Sequence, residues 1–328
     1  MRSFEWVDAT SVQQAAILLE RSTPQAPVLA KAGGMDLLDL MKEGIVAPAR
    51  VVNLQAIEQL HGIRCNDAVG LRLGALTTLA QIAQHPQIQA KYGALAAAAG
   101  HAATPQVRNA ATVGGNLLQR PRCWYFRNRQ LHDSGVDVIN APEGQHQYHA
   151  IFDNAATSMV HASTLATALL AYGASVHLTG PGGQSREVTL QDFLLPPDAA
   201  RPCDAAIQRG EVLTHVSLRP HAAPTRAAYH KQTERDSYDW PICDVAVVLR
   251  GTEVVESACI VLGWVAPLPR RALASEHLIR GRLIDAALAA EAARLAVRDA
   301  TPLARNQYKV AVLEAVLRRT LLAAAVGT

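Results

Sequence analysis

The chain has 328 residues, of which 49% are hydrophobic and 18% are charged, a composition typical of globular domains and not of disordered chains. This length predicts two or three domains with a well-buried core. The 31 lysines and arginines against 28 aspartates and glutamates leave a formal net charge of +3, which is too balanced for a nucleic-acid-binding surface.

Apolar runs and cysteines exclude two further classes of protein. The longest apolar runs, such as residues 94–99 and 321–326, are far shorter than the roughly 20 residues of a membrane span. The five cysteines are scattered and never form a C-x-x-C pair, so neither a disulfide framework nor a zinc site is predicted. The opening residues lack the apolar core of a signal peptide, so we expect no export signal in this chain.

The first half alternates predicted helices and strands. Residues 11–14, Ser-Val-Gln-Gln, have the form of a capping box and begin an amphipathic helix. A second helix begins near Asp36, and residues 79–103 are Ala-rich with a helical pattern. Strands are predicted at residues 28–30, 50–54 and 71–76.

An unusual segment follows the Ala-rich helical region. Residues 119–150 are rich in aromatic residues, Arg, His and Gln, show little periodicity, and are predicted to form a long loop excursion. A helix is then predicted over 155–172 and a strand over 174–179. Gly251-Thr252 indicates a hairpin between predicted strands, and the last third is helical. These later elements are strands at 245–249 and 254–261 and helices at 285–298 and 307–325.

The patterns together predict two domains: an α/β-type unit over residues 1–220, which carries the 119–150 excursion, and an α+β domain over residues 225–328 packed on it.

Two glycine-rich loops are the first features with a chemical interpretation. Residues 31–37, Lys-Ala-Gly-Gly-Met-Asp-Leu, lie between a predicted strand and a predicted helix. Small residues there let consecutive backbone N–H groups converge, and the helix adds the positive end of its dipole, which suits a diphosphate. A Gly-Gly pair is also what an ordinary turn shows, and the motif is neither G-x-G-x-x-G nor a P-loop.

Residues 104–116 form the second loop, in which Gly114-Gly115 is flanked by hydroxyl and amide side chains. Thr104, Thr112 and Asn116 can donate hydrogen bonds to phosphate or ribose oxygens, while the glycines permit close approach of a ligand to the backbone. Two such loops within 116 residues favour a split dinucleotide cradle over two unrelated turns.

These motifs resemble a known family. KAGGMDLLDLMK at 31–42 and TPQVRNAATVGGNLL at 104–118 are similar to the two FAD-diphosphate motifs of the flavoprotein subunit of the xanthine dehydrogenase/carbon monoxide dehydrogenase family. The resemblance continues through YHKQTER at 229–235, LGWVAPLPRRA at 262–272, and NQYK at 306–309 with Arg318-Arg319. It therefore spans nearly the whole chain, with motifs closest to the aldehyde oxidoreductase-type branch.

The resemblance implies an α+β fold with a two-part FAD-binding domain, whose subdomains are about residues 1–55 and 56–220, followed by a smaller α+β C-terminal domain. It also implies that FAD lies extended in the cleft, bound noncovalently, since neither loop contains a cysteine or histidine for a covalent link. The implied contacts, carried over position by position, are Ala30, Lys31, Ala32, Gly33, Gly34, Met35, Asp36, Leu37, Thr104, Val107, Ala111, Thr112, Gly114, Gly115, Asn116, Thr164 and Lys231.

Two of these contacts lie outside the loops. The family usually has an aspartate in a His-Pro-x-Asp segment, where this chain has His161-Ala162-Ser163-Thr164, so only the Thr164 hydroxyl is available. Lys231 matches a family lysine beside the flavin and would stabilise negative charge on the reduced ring. A solvated surface lysine is the alternative interpretation of Lys231.

The resemblance further implies an electron-transfer subunit in a complex with two partners. One is a large subunit with the molybdenum cofactor, the other a small subunit with 2Fe–2S clusters, and electrons pass from them through FAD to an external acceptor. We expect a cytoplasmic location, or a periplasmic one only if a partner carries the export signal. A stand-alone flavin oxidoreductase and a flavin-free scaffold of the same fold are the alternatives.

One branch of the family carries an additional 4Fe–4S cluster in the excursion. Residues 118–127 keep the stretch of its first ligand, Cys123, but no other cysteine occurs between Cys65 and Cys203. A cubane cluster needs four good ligands, usually thiolates. His132, His146 and His149 are poor substitutes, so we expect no 4Fe–4S cluster and a packed or free thiol at Cys123.

Overall fold

The computed structural model describes residues 2–128, 144–198, 200–201, 203–220 and 224–327. It begins with a three-stranded parallel sheet of order β1-β3-β2. The strands are β1 (Glu5–Asp8), β2 (Val28–Lys31) and β3 (Arg50–Asn53), and the helices that connect them are α1 (Val12–Glu20) and α2 (Leu37–Lys42). Parallel neighbours need such crossover connections, so the two glycines after β2 fall at the carboxyl edge of the sheet.

A five-stranded antiparallel sheet of order β4-β5-β8-β6-β7 follows. After a 3₁₀ turn at Glu58–Leu60, its strands are β4 (Ile63–Asn66), β5 (Gly70–Gly74), β6 (Ser175–Thr179), β7 (Ser185–Thr189) and β8 (Val212–Leu218). The helices around it are α3 (Leu79–Gln84), α4 (Pro86–Lys91), α5 (Gly93–Gly100), α6 (Pro105–Ala110), α7 (Val113–Leu117), α8 (Trp124–Arg127), α9 (Thr164–Ala171) and α10 (Leu190–Phe193).

The predicted helical segments are shorter in the structure than in the sequence pattern. The 79–103 run divides into α3, α4 and α5, because Pro86 has no N–H to continue the preceding helix and instead begins a new one. The helix predicted over 155–172 is wrong before Thr164. Residues 150–161 bond to the C-terminal part of the chain instead, with Ile151 and Phe152 donating to Val265 O at 2.8 and 3.1 Å.

The C-terminal part is a four-stranded antiparallel sheet of order β12-β11-β10-β9 with helices packed on it. The strands are β9 (Thr225–Gln232), β10 (Cys243–Arg250), β11 (Ser257–Gly263) and β12 (Arg270–Arg271), and the helices are α11 (Leu273–Ile279), α12 (Ala286–Val297) and α13 (Tyr308–Val326). No helix in the described ranges combines the length and apolar character needed to cross a membrane.

The N- and C-terminal parts share one core. Helices α5 and α9 pack against β9, β10 and β11. Leu165 and Leu169 of α9 lie in the same buried apolar cluster as Ala246 and Val248 of β10. This shared apolar packing joins the N-terminal part, which carries the two glycine loops, directly to the C-terminal sheet.

Candidate functional site

The two glycine loops lie against each other, as the split cradle requires. A Cβ on Gly33 would lie 1.9 Å from the carbonyl oxygen of Ala110, at the end of α6. A Cβ on Gly115 would lie 4.0 Å from the Cβ of Ala32. The first loop therefore packs directly on the second, and only glycine at position 33 allows this approach.

Backbone donors of the first loop are unpaired. Among the described residues, the N–H groups of Gly33, Gly34 and Met35 have no hydrogen-bond acceptor. Gly34 has φ +79°, a left-handed conformation that glycine adopts without strain. Consecutive N–H groups in such a turn form a concave site for anions such as phosphate oxygens.

The hydroxyls of the second loop cap two short helices. Thr104 Oγ1 accepts from Val107 N–H at 3.3 Å, and Thr112 Oγ1 accepts from Gly115 N–H at 3.2 Å. Each hydroxyl keeps its own hydrogen for another acceptor. Gly114 N–H donates to Ala75 O at 2.8 Å and so anchors the loop to the edge of β5.

The base of the second loop meets the start of α9. Ser163 Oγ donates to Asn116 Oδ1 at 2.6 Å, which leaves the Asn116 amide hydrogens available. The neighbouring Thr164 Oγ1 is buried and has no hydrogen-bond partner in the described part of the chain. An unpaired buried hydroxyl is costly, so Thr164 is a position where a bound ligand would supply the missing partner.

The Lys31 side chain links the first loop to the neighbouring strand β3. Its Nζ donates to Ala32 O at 3.1 Å and to Asn53 Oδ1 at 3.2 Å, and lies 5.4 Å from the centre of the Trp6 ring. Partial burial lowers the pKa of Lys31, although Asp8 opposes that shift. The sequence analysis missed Asn53, which only the parallel register of β2 and β3 brings beside Lys31.

The carboxylate of Asp36 turns toward the arginines of the excursion. It accepts from the Arg120 backbone N–H at 2.8 Å and from Arg127 Nη2 at 2.6 Å, and Arg122 Nη2 lies 3.0 Å away. These arginines are the residues that sequence analysis missed; the Arg-rich composition of the segment was the signal.

Lys231, in β9 of the C-terminal sheet, contacts the segment that precedes the second loop. Its Nζ donates to His101 O at 2.7 Å and to Asp239 O at 3.0 Å, and burial lowers its pKa. The remaining predicted contacts lie within or next to the loops. They are Ala30 in β2, Met35 before α2, Leu37 at the start of α2, Val107 in α6 and Ala111 directly after α6.

The first loop provides unpaired N–H groups, the second provides threonine hydroxyls, and Thr164 provides an unpaired hydroxyl, and this donor set fits the diphosphate of FAD. Such a set is typical of a dinucleotide-binding flavoprotein subunit. Two family models match the chain: the FAD binding domain in molybdopterin dehydrogenase over residues 2–221, and the CO dehydrogenase flavoprotein C-terminal domain over residues 228–324.

Two curated relatives extend over nearly the full length. The chain is 32% identical to the aldehyde oxidoreductase FAD-binding subunit PaoB of Escherichia coli (strain K12), with 98% of each chain covered. It is 28% identical to the carbon monoxide dehydrogenase medium chain of Hydrogenophaga pseudoflava, with 98% and 96% covered. This chain belongs to the family of FAD-binding medium subunits of molybdenum hydroxylases.

Solved structures show the same two-domain fold. The carbon monoxide dehydrogenase from Hydrogenophaga pseudoflava matches with a TM-score of 0.75 at 27% identity, over 98% of this chain and 97% of the other. Quinoline 2-oxidoreductase from Pseudomonas putida 86 matches in fold with a TM-score of 0.77 at 21% identity, over 99% and 98%.

The comparisons confirm the predicted family, its fold class, FAD as the cofactor, and an oxidoreductase subunit of the xanthine/CO dehydrogenase type. The individual FAD contacts and the domain limits at 220 and 225 stay predictions. His132 and the middle of the excursion lie outside the described residues.

Proposed function

We propose that this subunit transfers electrons from 2Fe–2S clusters of a small partner subunit through noncovalently bound FAD to an external acceptor. The electrons originate at a molybdenum cofactor in a large partner subunit. Relatives named medium chains of carbon monoxide dehydrogenase support an assembly of several subunits. We place the complex in the cytoplasm, or in the periplasm if a partner carries the export signal.

The observation that carries the proposal is the direct packing of the two glycine loops beside unpaired backbone donors. The N–H groups of Gly33, Gly34 and Met35 would hold the diphosphate, and the hydroxyls of Thr104 and Thr112 would donate to its oxygens. When bound, FAD supplies the redox chemistry, because its flavin ring accepts electrons singly or in pairs.

Lys231 has a separate part in the proposal. Its ammonium is held by the backbone carbonyls of His101 and Asp239, and beside a bound flavin it would stabilise negative charge that develops on the reduced ring. The carbonyls of His101 and Asp239 orient the ammonium without neutralising it, because neither acceptor is a carboxylate.

The cradle is tested by Gly34→Val and Gly114→Val. A side chain on Gly34 would be strained at φ +79° and lie 3.1 Å from Leu38 Cδ1, and a Cβ on Gly114 would lie 3.2 Å from Ala75 O. We expect both variants to fold and to lose flavin absorbance after gel filtration.

Each variant has a matched control. Gly173→Val has the same strain, at φ +74°, and Gly93→Val meets no atom within 4 Å, but both lie outside the cradle. These controls should retain FAD. Stoichiometric FAD in the Gly34 and Gly114 variants would refute the cradle.

The assembly is tested by purifying the chain from cells that also express its neighbouring genes. We expect the two partner subunits to copurify, and recovery of this chain alone would refute the assembly.

A further inference from the structure

Ion pairs attach the first part of the excursion to the first glycine loop and helix α2. Arg127 Nη2 donates to Asp36 Oδ1 at 2.6 Å and its Nη1 donates to Asp39 Oδ2 at 2.9 Å. The Asp36 and Arg127 side chains are only 14% and 11% exposed. Charge-assisted bonds that are shielded from water in this way are stronger than surface pairs.

This part also touches both loops of the cradle. Gln119 Nε2 donates to the carbonyl of Asn116, in the second loop, at 2.9 Å. Arg120 N–H donates to Asp36 Oδ2, in the first loop, at 2.8 Å. Residues 119–128, here called the first limb, therefore hold the two loops together along one side.

The end of the excursion is fastened to the C-terminal domain by a buried lysine. Lys309 is fully buried, and its Nζ donates to the carbonyls of Tyr148, His149 and Trp264 at 3.2, 3.0 and 2.7 Å. Burial lowers the pKa of Lys309 to about 7. Asn306 Nδ2 adds bonds to the carbonyls of His149 and Ala150 at 3.2 and 3.1 Å. We call residues 144–152 the second limb.

The two limbs contact each other directly. Trp124 Nε1 donates to Gln145 O at 2.9 Å, and Gln145 N–H donates to Tyr125 Oη at 2.7 Å. Cys123 Sγ lies 3.1 Å from His149 Nε2. The contacts thus run in series from the cradle through both limbs to Lys309 on α13.

We propose that the two limbs form a strap that sets the spacing of the FAD cleft, with Arg127 and Lys309 as positioning residues at its two ends. Neither residue is among the predicted cofactor contacts. The inference rests on the proposed function, because the strap matters through the cleft that holds FAD. The proposal predicts non-additive effects of substitutions at the two ends. Once one end of the strap is released, releasing the other end should reduce the affinity for FAD little further.

The test is a double-mutant cycle on the full chain with Arg127→Gln and Lys309→Met, with FAD affinity measured by fluorescence titration. Each single variant should weaken FAD binding at least about fivefold. The double variant should bind within about twofold of the weaker single variant. Arg127→Lys keeps the charge but has a single nitrogen for the acceptors of Arg127, so it should restore part of the affinity. Glu211→Gln, which breaks the Arg186–Glu211 pair remote from the strap, should leave affinity unchanged.

Single variants that bind FAD like the wild type would overturn the strap. So would a double variant whose fold-loss of affinity is the product of the two single losses.

Hydrogen exchange on the apo chain gives a second test that needs no flavin. Lys309→Met should speed exchange of the Arg120 amide at the far end of the strap, and so should Trp124→Phe, an exposed position with little risk to folding. Unchanged exchange in both variants would also overturn the proposal. A wild-type chain that binds no FAD would refute the proposed function and leave the exchange test in force.

Discussion

Asp244 is a carboxyl group at the buried interface between the two domains. Tyr229 Oη donates to its Oδ2 at 2.7 Å and Thr167 Oγ1 donates to its Oδ1 at 3.1 Å. A Cβ on Gly263 would lie 1.8 Å from Asp244 Oδ1, so only glycine leaves room for this cluster. Burial raises the pKa of Asp244 to about 7, against the opposing effects of its hydrogen bonds and of Lys231.

This pKa predicts a pH-dependent stability. Because the folded-state pKa lies above the unfolded value, the neutral carboxyl stabilises the fold fully below about pH 4, and this contribution is lost as the pH rises through about 7. The loss amounts to at most about 4 kcal/mol. Asp244→Asn should remove it, so the difference in unfolding free energy between wild type and variant should change between pH 4 and 7.5 in denaturant titrations. A constant difference would show that Asp244 is ionised throughout.

Cys123 is the second residue whose surroundings decide its chemistry. Burial raises the pKa of its thiol to about 11 and lowers the pKa of His149 to about 4, so both groups are neutral near pH 7. A neutral thiol is a poor metal ligand and a poor nucleophile. No group of three His, Cys, Asp or Glu side chains suited to a metal ion occurs among the described residues.

We therefore predict that the isolated chain contains no iron–sulfur cluster. Metal analysis and electron paramagnetic resonance of the chain purified without its 2Fe–2S partner should show less than one iron per chain. Cys123 should react with a thiol reagent much more slowly in the native chain than after unfolding. About four irons per chain would contradict this prediction.

At the scale of elements, the sequence predicts the glycine loops correctly but misplaces the limits of segments that pack against residues distant in the chain. The helix predicted over 155–172 begins only at Thr164, and the segment before it bonds to the C-terminal domain, with Ile151 and Phe152 donating to Val265 O and His161 donating to Ala266 O. Hydrophobic periodicity is local and cannot register such a partner. The strand predicted at 254–261 is shifted to Ser257–Gly263, since the cross-strand register with β10 sets its limits.

The glycine loops were predictable for the opposite reason. Gly34 at φ +79° and the threonine caps of α6 and α7 are determined within a few residues of the chain. The Arg127–Asp36 pair, by contrast, joins residues 91 positions apart, and the Lys309 contacts reach back 160 and 161 positions.

At the scale of the whole molecule, the shared core predicts cooperative unfolding. Leu165 and Leu169 of the N-terminal domain pack in one cluster with Ala246, Val248 and Val261 of the C-terminal sheet. Separating the domains would expose these side chains, each of which contributes about 1–3 kcal/mol when buried. Differential scanning calorimetry of the full chain should therefore show a single transition, and a fragment of residues 1–220 should unfold at a lower temperature. Two resolved transitions would show that the domains are independent.

The sequence by itself determined the family, the two-domain α+β fold, FAD as the cofactor and the two glycine loops that we predict form its cradle. These features depend on short motifs whose backbone geometry only glycine, threonine and a few small residues satisfy. The tertiary structure alone decided which partners hold Asp36 and Lys309 and where the helix at Thr164 begins. Such contacts join residues far apart in the chain, and their free energy comes from burial and charge pairing that exist only once the domains have packed.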